Sequence, residues 1–325
     1  MRTIEVNGVR LSRIGVGCWQ FGSSDWGYGN GYESTAVAIV HRALELGVHL
    51  IDTAELYARG ASEAIVGRAI EDRRDSAFVA TKLWPVLPTA ARTFEHGRLS
   101  AARLGIATID LYQVHFPNPV VPLRQTMDGM RRLQDEGLVR HVGVSNYSAD
   151  WWRRAEADLG GPVLTNQVQY SLVRRRPERA VVPWAQQHDR AVFAYSPLAQ
   201  GLLGGHYDID HRPNNSVRRN NPLFLPENLE RADPLIRALR AVAVTHDATP
   251  AQVALAWLLR RPNVVAIPGA SSVEQLEHNV AAADLELSAD EDARLTAASD
   301  AFEPLGGPAV VPKLVKARFA ARGAA

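Results

Sequence analysis

Cysteine is all but absent. Cys18 is the only one in the chain, which excludes an intrachain disulfide and agrees with a reducing compartment. No run of about 18 apolar residues occurs from which a bilayer-spanning helix can be drawn. The opening, MRTIEVNGVR, places Arg2, Glu5, Asn7 and Arg10 where a signal peptide needs an apolar stretch, so the cytoplasm is the expected location. Neither charge is in excess: 36 Lys and Arg stand against 35 Asp and Glu, for a net charge of +1. No positive field is therefore available to collect a phosphate backbone, and nucleic acid is not an expected partner. Arg131, Arg132 and Arg174 to Arg176 read as solvated surface charges. The ten histidines contain no HExxH pair and, beside a single cysteine, no zinc set; no metal is expected.

What remains is globular: 46% hydrophobic and 22% charged residues over 325 positions. That length suits two domains of about 150 residues or one α/β barrel of about 250 with insertions. The chain opens with two short alternating segments around Asn7-Gly8, a pair that tolerates the positive φ of a two-residue hairpin turn. Eight apolar runs follow: 14–19, 48–52, 77–82, 109–115, 141–146, 164–169, 191–196 and 264–269. Segments of helical spacing separate them, at 34–46, 62–71, 89–104, 123–136, 148–159, 177–188 and 234–246, with another at 273–281. Near-continuous apolar runs are strands buried on both faces, and the helices supply the crossovers that parallel pairing requires.

The pattern predicts a single-domain (β/α)8 TIM barrel of the α/β class over 1–325, with residues 1–12 as a hairpin plug. Asp52 to Lys82, Lys82 to His115 and His115 to Ser145 span 30, 33 and 30 residues, one βα unit each. Ser196 to Gly269 spans 73. The excess holds a further helix at 250–260 and a polar stretch, 200–228, expected to be a long loop over the barrel mouth after the seventh barrel strand. An extra C-terminal helix at 288–298 leads to a tail, 300–325, expected to be mobile or folded over the mouth.

In barrels of this kind the carboxyl ends of the strands carry the chemistry. Asp52, Lys82 and His115 end three adjacent strands about 4.8 Å apart, and Tyr57 follows Asp52 closely enough to join them. A phenol is a poor proton donor at neutral pH unless a neighbouring ammonium stabilises its phenolate. Lys82 is expected to lower the pKa of Tyr57 in this way, Asp52 to orient Lys82, and His115 to hydrogen-bond a substrate carbonyl oxygen. The array suits protonation of an alkoxide as hydride reaches carbon. Singly, each residue also has an ordinary reading: Asp52 as a cap, Tyr57 as a loop aromatic, Lys82 as a solvated charge, His115 as a core histidine.

Seven segments now join in order and register: DTAELY (52–57), ATK (80–82), LYQVH (111–115), GVSNY (143–147), NQVQY (166–170), AYSPLAQGLL (194–203) and IPGASS (267–272). From about Leu11 to Ala283 the chain resembles the aldo-keto reductases. The resemblance implies a barrel that reduces aldehydes, ketones or sugar carbonyls with NADP(H), NAD(H) being the alternative. It also implies Asp52, Tyr57, Lys82 and His115 as a catalytic tetrad, with Tyr57 the general acid. By the same resemblance, Ser145, Asn146 and Gln167 hold the nicotinamide carboxamide, Tyr195 stacks on its ring, and Ser196, Leu198 and Gly201 line the pyrophosphate. Gly269, Ala270, Ser271, Gln275 and Asn279 then meet the adenosine end.

Two positions depart from the family pattern: many relatives carry arginine at Gln275, clamping the 2′-phosphate, and glutamate at His278. Arg218 or Arg219 on the long loop is a substitute cation. Ser272 and Gln275 also have capping-box spacing. GYGNGY (27–32) lacks the lysine of a P-loop and a full GxGxxG; it reads as the loop after the first barrel strand, with Trp26 and Tyr28 facing substrate. Trp19, Trp84 and Phe116 are further candidates for the pocket wall. Trp151 and Trp152 open a helix as core or as a subunit contact. Two other readings stay open: a non-catalytic redox-sensing subunit that binds nicotinamide, and a metal-dependent hydrolase, for which the paired histidines are missing.

Overall fold

The structure, a computed structural model, describes residues 1–26 and 32–310. Tyr28, with the rest of 27–31, and the tail 311–325 lie outside the described residues. Strands β1 (Thr3–Val6) and β2 (Val9–Ser12) pair antiparallel, Val6 opposite Val9. Asn7 and Gly8 take φ of 49° and 72°, the left-handed pair that a two-residue hairpin turn demands.

Eight strands then pair in parallel, each with its sequence neighbour: β3 (Val16–Gly17), β4 (Leu50–Asp52), β5 (Phe78–Leu83), β6 (Ile109–Val114), β7 (Val139–Ser145), β8 (Val163–Gln169), β9 (Ala191–Tyr195) and β10 (Val264–Ile267). Bridges Ile14 to Ala266 and Gly17 to Gly269 join the first strand to the last and close the barrel. Outside lie α1 (Tyr32–Glu45), α2 (Ala61–Ile70), α3 (Ala90–Leu104), α4 (Leu123–Asp135), α5 (Ala149–Leu159) and α6 (Val181–Gln187), one in each crossover from β3 to β9. Between β9 and β10 come α7 (Ser216–Arg219), α8 (Pro226–Thr245) and α9 (Pro250–Leu259); α10 (Val273–Ala281) and α11 (Ala289–Asp300) follow.

Side-chain caps fix many of these starts: Thr89, Ser148 and Ser272 each accept the amide three residues on, and Thr249 and Ser288 do so within full capping boxes. Two helix starts differ from the sequence reading. The segment expected at 177–188 begins with a 3-10 turn, Arg176–Arg179, and turns α-helical only at Val181. The helix expected from Pro234 starts at Pro226 instead. Pro226 takes the first-turn position that needs no N–H, while Pro234 sits inside the helix and forfeits one ladder bond. The buried face of Leu229, Ala232, Leu235, Ile236 and Leu239 holds the helix together across it.

Strand alternation decides what faces the barrel axis. Leu50, Ala80, Leu111, Phe193, Val265 and Ile267 form the inner cluster, capped from the hairpin by Val6 and Leu11. Ile51, Val79, Tyr112 and Val192 belong to the outer core beneath the helices. Asp52 and Lys82 each lie two residues beyond an inward residue, Leu50 and Ala80, so both point inward at the carboxyl end. His115 has the same parity, four residues beyond Leu111. Trp152 is core, its indole N–H donating to Val163 O at 2.9 Å. Among the described residues no helix is long and apolar enough to cross a membrane.

Candidate active site

At the carboxyl ends of β4 and β5, Lys82 is fully buried. Its Nζ donates to Asp52 Oδ2 at 2.7 Å and to Thr53 O at 2.7 Å, and lies 3.3 Å from the Tyr57 hydroxyl. The other Asp52 oxygen accepts from Gln167 Nε2 at 2.7 Å, across the barrel. Burial opposes the Lys82 charge, but Asp52 and Tyr57 together hold its pKa above the usual lysine value. Burial likewise pushes the Asp52 carboxyl up, with Lys82 and Gln167 restraining the rise.

Tyr57 departs from the sequence expectation. Lys82 does pull its pKa down, but burial outweighs that pull and the net direction is upward. A sequence shows the neighbour and not the depth; the phenol therefore keeps its proton at neutral pH. His115 is held at about 3, by burial first and by Lys82 second, so its ring is neutral. Its Nδ1 is buried with no hydrogen-bond partner among the described residues. An N–H there would be an orphan donor, so the proton belongs on Nε2.

A cleft of about 670 Å³ runs from Asp52 and Tyr57 past Gln167, Tyr195, Ser196, Leu198 and Gly201 to Gly269, Ala270, Ser271 and Gln275. Trp19 and Trp26 line it too, edge to face with ring centroids 5.0 Å apart. Three expected contact residues stand behind the wall. Ser145 is buried and donates to Gln167 O at 2.8 Å. Asn146 donates to His115 O at 3.1 Å and accepts from the Tyr195 hydroxyl at 3.0 Å. Asn279 is buried and donates to Gly269 O at 3.4 Å. Ser272 caps α10 as its spacing predicts, but the Gln275 side-chain oxygen accepts from Ser271 N and Oγ, at 2.7 and 2.8 Å, one residue earlier than in a capping box.

Backbone strain concentrates here: Ala58, Arg59, Asn146, Ser196, Ala199 and Gln200 all have φ between 46° and 63°. At Gly269 a Cβ would stand 2.9 Å from Gln20 Oε1, so a larger residue there would have to displace the Gln20 amide.

Trp84 and Phe116 lie off this cleft, against His115: Phe116 stacks on its ring at 4.8 Å and Trp84 meets it edge-on at 5.9 Å. Sequence reasoning passes over Gln20, Tyr207 and Glu55, and gives Arg218 only as a substitute cation. Gln20 donates to Ala270 O at 2.9 Å. Arg218, on the stretch after β9, lines the cleft with Asn214 and Asn215, lies over the Trp26 ring at 5.2 Å and donates to Gln200 O at 2.8 Å. Its place on that stretch is the signal the sequence offers, and its reach to Trp26 is not legible there. The Arg218 guanidinium also lies over the Tyr207 ring, at 5.8 Å. Glu55 accepts from Trp84 N and, at 2.8 Å, from His96 Nδ1, while its own amide donates to Lys82 O at 3.4 Å. It thereby ties the Tyr57 turn to the end of β5. Its position inside DTAELY was the only sequence signal.

The chain is similar to known proteins along most of its length. The chain is 52% identical over 324 residues to an uncharacterized oxidoreductase of Mycobacterium tuberculosis, covering 99% of this chain and 100% of that one. It is 34% identical over 288 residues to the aldo-keto reductase YhdN of Bacillus subtilis, covering 85% and 86%. Among solved structures, a glycerol dehydrogenase from Gluconobacter oxydans superposes with a TM-score of 0.84 at 29% identity, covering 94% of this chain and 98% of that one. An aldo/keto reductase from Klebsiella pneumoniae, solved with NADP and acetate, does so at 0.74 and 30%, covering 94% and 96%. The profile of the Aldo/keto reductase family matches residues 13–300, and the chain belongs to that family.

Proposed function

We propose that this oxidoreductase, a single catalytic unit, transfers hydride between NADP(H) and an aldehyde or ketone, with Tyr57 as general acid in reduction and general base in oxidation. The observation that carries the reading is the Tyr57 hydroxyl 3.3 Å from a buried, Asp52-paired Lys82, at one end of a cleft of the size that organic ligands fill.

The cleft residues fit a dinucleotide. Gly269 leaves bare backbone on the wall, α10 offers its N-terminus beside Ala270 and Ser271, and Arg218 supplies a guanidinium. In this reading the Tyr195 ring packs on the nicotinamide, held by its bond to Asn146. Gln167 meets the carboxamide, with Ser145 fixing Gln167 from behind. The turn from Ser196 through Leu198 to Gly201 borders the pyrophosphate. Gly269, Ala270, Ser271 and Gln275 border the adenosine, and Asn279 braces Gly269. The NADP-bound Klebsiella relative supports NADP(H); with Gln275 turned back onto Ser271, NADH is the competitor to measure against it.

When bound, a reduced nicotinamide supplies the hydride. Tyr57 gives its proton to the carbonyl oxygen, and the Lys82 ammonium stabilises the phenolate left behind. Asp52 and Thr53 O fix that ammonium. Neutral His115 donates from Nε2 to the same carbonyl oxygen as charge develops there.

The test is dinucleotide binding together with consumption of NADPH and NADH across a panel of carbonyl compounds, read from the absorbance of reduced nicotinamide. Turnover with one cofactor or both is expected. Tight binding with no consumption across the panel would instead favour the sensing role.

A further inference from the structure

The three residues that follow Tyr57 all hold left-handed backbone: Ala58, Arg59 and Gly60, with φ of 46°, 55° and 90°. Such a run is strained at its non-glycine members and persists only where its surroundings hold it. One of the groups that hold it comes from α3, outside the barrel.

Arg103, in the last turn of α3, runs against Gly60, where a Cβ would stand 2.7 Å from its Cδ and 2.9 Å from its Nε. Its Nε donates to Glu63 Oε2 at 2.5 Å and its Nη2 to Ser100 Oγ at 3.1 Å, with Nη2 also 3.6 Å from Glu55 Oε2. Glu55 precedes Tyr57 by two residues and Glu63 follows Gly60 by three. One planar guanidinium therefore reaches a carboxylate on either side of the strained turn. Both carboxylates lead on into the strand that carries Lys82. Glu63, fully buried, accepts from Thr81 Oγ1 at 2.6 Å, and Glu55 accepts from Trp84 N. Next to Arg103, α2 and α3 meet backbone to backbone: a Cβ on Gly67 would stand 2.5 Å from Leu104 O.

We propose that Arg103 is a positioning residue for the reaction, holding the Tyr57 turn against β5 and so setting the distance between the Tyr57 hydroxyl and Lys82 Nζ. The proposal rests on the hydride-transfer reading above and extends the Glu55 tie to a helix outside the barrel. The ionisable groups that face Tyr57 are Lys82, Asp52, Cys18 and His115. Arg103 is not among them, so its influence on the phenol passes through the turn.

The experiment measures kcat for carbonyl reduction against pH, together with dinucleotide affinity, in Gly60→Ala, Arg103→Lys and Arg103→Met. Gly60→Ala drives a Cβ into the Arg103 side chain at a left-handed φ and leaves both carboxylates their partner. Arg103→Lys keeps a cation for Glu63 but loses the planar fork that spans to Glu55. Each variant is expected to lose about tenfold in kcat, with dinucleotide affinity within about twofold of the wild type. The alkaline limb of kcat should move to higher pH, because a Tyr57 hydroxyl drawn away from Lys82 loses part of the pull that lowers its pKa. Arg103 lines a cleft of about 380 Å³ between α2 and α3. Guanidinium chloride far below unfolding concentrations should therefore return part of the Arg103→Met rate, and equal sodium chloride should not. Should Arg103→Met fail to fold with Glu63 left unpaired, the other two variants decide. A wild-type kcat in folded Gly60→Ala and Arg103→Lys, or a lowered kcat with the alkaline limb unmoved, overturns the proposal and leaves hydride transfer standing. Wild-type protein that turns over no carbonyl compound with either cofactor overturns the hydride-transfer reading itself.

Discussion

Lys82→Met removes the ammonium from the centre of the site while keeping most of the side chain's bulk. At 3.3 Å from the Tyr57 oxygen, a full charge pair in an effective dielectric of about 20 is worth about 5 kcal/mol. The phenol has surrendered only part of its proton at the transition state, so about half of that, 2–3 kcal/mol, should be lost from the rate, or about 100-fold in kcat. The alkaline limb of kcat, where Tyr57 titrates, should move to higher pH, because the influence that lowers its pKa is gone while burial remains. The same change strands Asp52, buried and without its ammonium partner though Gln167 still donates to it, at a cost of about 3–5 kcal/mol of stability unless the carboxyl takes up a proton. Urea unfolding reads that cost separately. Adding Asp52→Asn should restore most of the stability and none of the rate. A folded double variant with kcat within threefold of the wild type would refute the electrostatic role given to Lys82.

Three further outcomes are expected. Glu55→Ala orphans the Trp84 amide and loosens the Tyr57 turn from β5, so kcat should fall about tenfold with dinucleotide affinity unchanged, and Glu55→Gln, which can still accept from Trp84 N, should recover most of it. Gln275→Arg places a guanidinium in the cleft wall beside Ser271 and should shift the NADPH-to-NADH affinity ratio about tenfold toward NADPH, read by fluorescence titration. His115, held at about 3 against an ordinary 6.5, gains its proton on unfolding anywhere between those values. Stability therefore declines as pH falls below 6.5, by about 2–3 kcal/mol at about pH 4.5, and His115→Asn should lack that part of the loss in urea titrations.

The barrel was legible because inward and outward residues alternate on strands covered on both faces, and because Asp52, Lys82 and His115 recur at one strand parity and one βα spacing. The start of α8 was not: Pro226 and Pro234 offer the same local signal, and only the buried face running through Leu229 and Ala232 chooses between them. The direction of the Tyr57 shift was not legible either, since depth belongs to the whole fold while the Lys82 contact belongs to a motif. Ser145 and Asn146 illustrate the remaining gap. Their motif brings them to the site, yet the hydrogen bonds to Gln167 and Tyr195 that set them behind the cleft wall join separate strands.

The central claim is that Tyr57 delivers the proton. Tyr57→Phe, assayed for carbonyl reduction at saturating reduced cofactor and for dinucleotide affinity, tests it most directly. Turnover should be abolished with affinity for the dinucleotide intact; reduction at the wild-type rate would contradict the account.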